Sequence, residues 1–65
     1  MKVTYDKDAD ALYIQFNDKD VADACADSNN QLMIDYAADN SVVGIEVLNI
    51  SQKVDMPLSF TTEQL

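Results

Sequence analysis

The sequence has no histidine and contains one cysteine, one glycine and one proline in 65 residues. Cys25 has no disulfide partner within the chain, and a zinc site built from histidine and cysteine ligands is excluded. Without histidine the chain lacks the usual base that activates a serine or cysteine nucleophile, and one glycine cannot form a glycine-rich phosphate-binding loop. These absences predict a protein that is not an enzyme, with no catalytic residue, no cofactor and no zinc site.

Basic residues are scarce as well. Four Lys and Arg residues stand against twelve Asp and Glu residues, so the formal net charge is −8. Nucleic-acid phosphates and anionic membrane surfaces would repel such a chain, which leaves a basic protein as the better charged partner. Because there is no apolar run of membrane-spanning length and no signal-peptide pattern at the start, we expect a cytoplasmic protein.

The length allows a single small domain over residues 1–65. A chain this short buries only about 60% of the surface that its unfolded form exposes, so its stability is marginal. Since the chain can form no internal disulfide and lacks the ligands of a structural zinc site, oligomerisation is the expected means of stabilisation.

Apolar and polar residues alternate along most of the chain, which is typical of half-buried β-strands. The pattern predicts strands over residues 2–5, 11–17, 31–36 and 42–48. Residues 21–27 fit either an edge strand, in which inward charges discourage unwanted pairing, or a short helix. After Leu48 a spacing of three and four predicts a helical turn over residues 49–54, which Pro57 ends. The predicted fold is mainly β, an antiparallel meander sheet of four or five strands with a short C-terminal helical segment.

The alternation assigns the apolar side chains to two faces of this sheet. The inward set is Val3, Tyr5, Leu12, Ile14, Phe16, Leu32, Ile34, Tyr36, Val43, Ile45 and Val47. A single sheet cannot bury its own apolar face, so either a second subunit covers it or the tail with Met56, Leu58, Phe60 and Leu65 completes a monomeric core. We expect a homodimer, with interface candidates Tyr13, Met33, Val42, Gly44, Leu48 and Phe60. Gly44 inside a strand indicates a bulge or a close approach by another chain.

Two groups of carboxylates are candidates for a functional role. Asp35 and Glu46 have outward parity on adjacent predicted strands, and like charges that are neighbours there would face a basic partner. Asp6, Asp8 and Asp10 alternate as in the start of an EF-hand, but the sixth and twelfth positions of that loop are not glycine and glutamate. Turn formation explains the three aspartates, and weak cation binding is the alternative.

Three motifs carry a family resemblance: YDKDADALYI at residues 5–14, IDY at 34–36 and VVGIEVL at 42–48. In order and spacing they resemble a family of very small prokaryotic proteins, domain of unknown function 2283, over residues 2–52. Asp8 departs from the family pattern, which has glutamate there. The resemblance implies no biochemical activity, because the family has none established. Some relatives are encoded beside small ribonuclease-like toxins, which implies an antitoxin role as an alternative to a non-catalytic interaction module.

Overall fold

The computed structural model describes residues 1–65 and contains five β-strands and one short 3-10 helix. The elements are β1 (Lys2–Asp6), β2 (Ala11–Gln15), β3 (Asp23–Ala26), β4 (Leu32–Tyr36), β5 (Val42–Leu48) and the 3-10 helix η1 (Ile50–Gln52). Every strand pair is antiparallel. The predicted mainly β, antiparallel fold is therefore confirmed. No helix has the length and apolar character needed to cross a membrane.

The strands lie in the order β1-β2-β5-β4-β3. A β1–β2 hairpin and a β3–β4–β5 meander are joined where β2 pairs with β5. This corrects one step of the predicted meander, because β2 does not pair with β3, which follows it in the chain. The central strand is β5, which has two strands on either side.

Residues 16–22 connect β2 to β3 past the ends of β5 and β4. The Phe16 amide donates to the Val43 carbonyl at 2.7 Å and the Ala22 amide to the Tyr36 carbonyl at 2.8 Å. Between them, Lys19 Nζ donates to Asp39 Oδ2 at 2.7 Å in the β4–β5 loop. These bonds hold a connection that sequence alternation cannot distinguish from a tight turn.

Aspartate and asparagine shape the turns, as the sequence predicts. Asp6 Oδ1 accepts bonds from the Asp8 and Ala9 amides at 3.0 and 3.2 Å. Left-handed backbone conformations occur at Asp10, Asn30, Asn40 and Asn49, residue types that tolerate positive φ better than most. Aspartate and asparagine thus take turn positions that glycine often occupies, in a chain with only one glycine.

The weak segment predicted over residues 21–27 forms the edge strand β3, so the strand interpretation is confirmed over the helical one. The helical turn predicted over residues 49–54 is confirmed as η1. Ser51 Oγ donates to Asp10 Oδ2 at 2.6 Å, and this bond fastens η1 to the β1–β2 turn. No backbone hydrogen bond involves residues 55–65.

The core of this sheet is small, with six of 65 residues buried. The accessible surface is 5091 Å², whereas a folded monomer of this mass exposes about 4,100 Å². The radius of gyration is 12.7 Å, and about 10.7 Å is expected for a compact chain of this length. A single copy therefore leaves much of its sheet uncovered.

Candidate interaction surface

One face of the sheet, here called the front face, carries a row of apolar side chains across all five strands. Direct cross-strand partners point to the same side. The row consists of Val3, Ile14, Ile45, Ile34 and Cys25, each paired with the next. A second row, Tyr5, Leu12, Val47 and Leu32, runs beside it. The face is thus a continuous, mostly aliphatic surface built by strand register.

The chain itself does not seal this face. Ile14, Ile34 and Ile45 are only half-buried, and at the β1 edge Val3 is 39% exposed. In the second row Leu12 is buried, at 6% exposure, whereas Tyr5, Val47 and Leu32 are half-buried like the isoleucines. The face is therefore partly open along both rows.

The C-terminal tail does not complete a monomeric core. Phe60 is 59% exposed, and Met56 and Leu65 are exposed as well. Leu58 alone among residues 55–65 is half-buried. The alternative in which the tail completes a monomeric core is wrong for these three side chains, because each of them is exposed.

The opposite side of the sheet, here called the reverse face, is organised by Tyr13. Its hydroxyl donates to Asp35 Oδ2 at 2.9 Å, so the side chain extends from β2 over β5 to β4. Gly44 lies beneath this bridge, where an added Cβ would come within 2.6 Å of Tyr13 Cζ and 2.8 Å of the Ile14 carbonyl oxygen. The close approach predicted at Gly44 is made by a side chain of the same protein.

Burial raises the pKa of the Tyr13 hydroxyl, and the bond to Asp35 and the negative charges of Asp35 and Glu46 raise it further. Glu46 pairs with Tyr13 across β2 and β5 and with Met33 across β4 and β5. Asp35 and Glu46 therefore share the reverse face with Tyr13 between them, but they are not direct cross-strand partners. At neutral pH the tyrosine stays protonated and remains a donor.

The interface candidates do not form one surface. Tyr13, Met33 and Leu48 lie on the reverse face by their pairing, and Phe60 lies in the tail. Gly44 is buried, so it presents no surface of its own.

Val42 is on the other side from that predicted. It pairs with Tyr36 past a register shift, whereas Asp35 pairs with Gly44. The extra residue, Val43, makes a β-bulge, which breaks the alternation at this end of β5 and re-aims the preceding residue. Val42 thus shares the side of Tyr36 and the front face.

The three alternating aspartates do not converge. Asp6 binds backbone amides of its own turn, and Asp10 accepts bonds from Ser51 and from the Tyr5 hydroxyl at 3.1 Å. The Ser51 bonds are the main cause that lowers the pKa of Asp10. No group of three or more histidine, cysteine, aspartate and glutamate side chains is placed to hold a metal ion.

Sequence reasoning missed the link between Asp10 and Ser51, which joins residues 41 positions apart. Asp10 has a positive φ, but no local pattern marks Ser51 as the partner of its carboxylate. Cys25 is exposed at the end of the central row.

The three surface pockets lie away from both apolar rows. One is lined by Met1, Lys2, Gln15, Phe16, Asn17 and Asp18, and the other two by the tail and by residues near Lys19. Small-molecule sites are concave and mostly apolar. The front face is a sheet surface without such a depression, which is the form that another protein surface covers.

Comparison with protein families identifies the family of this chain. The model of a family described as a protein of unknown function, DUF2283, matches residues 2–51. That range includes all five strands and ends inside η1, so the tail lies outside it. Neither the curated proteins nor the solved structures contain a match.

Proposed function

Because the chain belongs to the DUF2283 family, whose function is unknown, we propose from its surfaces that it is a non-catalytic interaction module that acts by contact. The observation that carries this proposal is the front face, where an apolar row crosses five strands and its own chain leaves it half-open. Burying a large aliphatic side chain is worth about 1.5–3 kcal/mol. Contact with a partner that covers this row would therefore contribute a large favourable free energy of binding.

The absence of histidine from the sequence and the occupied carboxylates of Asp6 and Asp10 support contact rather than acid–base chemistry. The charged surface supports the same proposal, because it keeps a protein with an open apolar face soluble.

Nile red, an uncharged dye that fluoresces on apolar surfaces, tests the proposal together with light scattering. We expect the wild-type protein to be either a monomer that binds the dye or an assembly that binds the dye only after dilution separates its subunits. Ile34→Lys on the front face should give a monomer that binds no dye. Met33→Lys, its neighbour on the reverse face, is the matched control and should retain the wild-type behaviour. A monomer that binds no dye would contradict the proposal.

A second candidate, an antitoxin-like protein, is supported by the reverse face. Asp35 and Glu46 flank Tyr13 there, and the chain carries a net charge of −8, which would accelerate association with a basic protein.

The probe for this candidate is a small basic ribonuclease-type protein encoded next to the gene. Binding should weaken with salt and with the double change Asp35→Asn and Glu46→Gln, and Asp20→Asn serves as a control in the β2–β3 connection. A gene without such a neighbour would remove this candidate.

A further inference from the structure

We propose that the front face packs against the front face of a second copy, with a two-fold axis along β5 that lays the central row of one subunit on the central row of the other. This inference rests on the proposed contact function and identifies a second copy of the chain as the partner that covers the front face. It also assigns the interface to the side opposite Tyr13 and Met33.

The central row is nearly symmetric about β5. Ile45 lies on the middle strand of the sheet and has Ile14 on one side and Ile34 on the other. Rotation about an axis along β5 exchanges the positions of β2 and β4, and it exchanges β1 and β3. Ile14 then faces the partner's Ile34, and Val3 faces the partner's Cys25. A C2 interface has to be self-complementary, and a row with isoleucine on both sides of its centre is.

Charge is distributed so that two copies can approach on this side. Five charged residues lie in the strands, namely Lys2, Asp6, Asp23, Asp35 and Glu46. Pairing and alternation place four of them on the reverse face. Asp23 is the exception and lies on the edge strand β3, opposite Tyr36. Two chains of charge −8 therefore meet on the face that carries only one of the five charged strand residues.

The area agrees with a dimer. The exposed surface exceeds that of a compact monomer of this mass by about 1,000 Å², to which the extended tail contributes. A standard interface buries about 800 Å² on each partner. Two sheets packed face to face also form a β-sandwich, the usual way in which a one-layer sheet becomes a two-layer domain.

Light scattering at several concentrations tests whether a second copy covers the front face. Wild-type protein should have twice the chain mass of 7.2 kDa, and Ile45→Lys should reduce it to a monomer. Met33→Lys on the reverse face should stay dimeric. If Ile45→Lys does not fold, Val3→Lys at the exposed edge should weaken the dimer at least tenfold. A wild-type monomer that binds Nile red would overturn the dimer and leave the proposed contact function standing.

Crosslinking tests the axis. In Val3→Cys, each cysteine at position 3 should lie opposite the partner's Cys25, at the separation of about 10 Å between packed sheets. A bismaleimide of that reach should give a covalent dimer. Within one chain the two positions lie on opposite edge strands, about 19 Å apart at the usual strand spacing, which the reagent does not span.

The control is Val3→Cys combined with Cys25→Ser, whose single cysteines would lie at opposite edges of the sandwich and should not crosslink. Wild-type protein, with Cys25 alone, should not crosslink either. Efficient crosslinking of the wild type would overturn the axis along β5, because it brings the two β3 strands together. A scattering dimer in which Val3→Cys gives no covalent product would also overturn it.

Discussion

The front and reverse faces belong to the same five strands but satisfy their side chains differently. On the reverse face, Tyr13 covers Gly44 and ends in a hydrogen bond to Asp35, so the contact is completed within the chain. On the front face, the isoleucines of the central row stay half-buried, with part of their apolar surface left exposed. A polar side chain can complete its bonding with one partner, whereas an aliphatic surface is stabilised only in proportion to the area that something else covers.

The strongest way to test this difference is truncation at the centre of each face. Ile45→Ala should lower the free energy of unfolding by about 2–5 kcal/mol, as for a buried isoleucine, if a second copy covers it. The wild-type melting temperature should rise with protein concentration, and this dependence should disappear in the variant. Met33→Ala should cost less and leave the dependence intact. Equal, concentration-independent losses for both variants would remove the distinction between the faces.

Overpacking tests the Tyr13 bridge. Gly44→Ala should destabilise the protein by about 1–3 kcal/mol, the usual cost of inserting a methyl group into filled space, because the new Cβ meets Tyr13 and the Ile14 carbonyl oxygen. Chemical denaturation of Gly44→Ala, Tyr13→Ala and the double variant measures the coupling. The double variant should be more stable than the sum of the single losses predicts, and strict additivity would show that the ring does not rest on Gly44.

Removal of a single hydroxyl gives a smaller effect. Tyr13→Phe should cost about 0.5–1.5 kcal/mol, the net worth of one hydrogen bond, and should leave the oligomeric state unchanged. The upward-shifted phenol titration of Tyr13 should disappear from the ultraviolet titration curve, while that of Tyr5, whose pKa is raised mainly by burial and then by Asp10, should remain. A change in subunit number would move the interface to the reverse face.

The smallest effect concerns neither face but the turn that holds η1. The pKa of Asp10 is lowered in the folded state, chiefly by the Ser51 bond. Its contribution to stability is therefore complete above the ordinary carboxyl pKa of about 3.9 and is lost as pH falls through the lowered folded value.

In Asp10→Asn the loss of stability between pH 5 and pH 2 should be shallower than in the wild type, measured by urea midpoints. Asp39→Asn should flatten the acid curve less than Asp10→Asn does. The bond from Lys19 is the main cause that lowers the pKa of Asp39, but the two residues form an exposed ion pair. Parallel acid curves for all three proteins would contradict the assignment.

The amino-acid sequence by itself determined four of the strands, the turns and the apolar content of one face. Alternation is a local property, so the bounds of β5 follow from neighbouring residues, whereas the pattern of residues 21–27 fits a strand or a helix and left β3 open. Turn chemistry is local as well, which is why Asp6 and Asn40 behave as their residue types indicate.

Only the tertiary structure decided which strands are neighbours and what covers each face. Placement of β5 between β2 and β4 depends on pairing between distant segments, and alternation is the same for either order. The bulge at Val43 reversed one side chain, and the bridge from Tyr13 over Gly44 to Asp35 joined three strands. These outcomes depend on contacts between residues far apart in the chain, and no local pattern encodes their geometry.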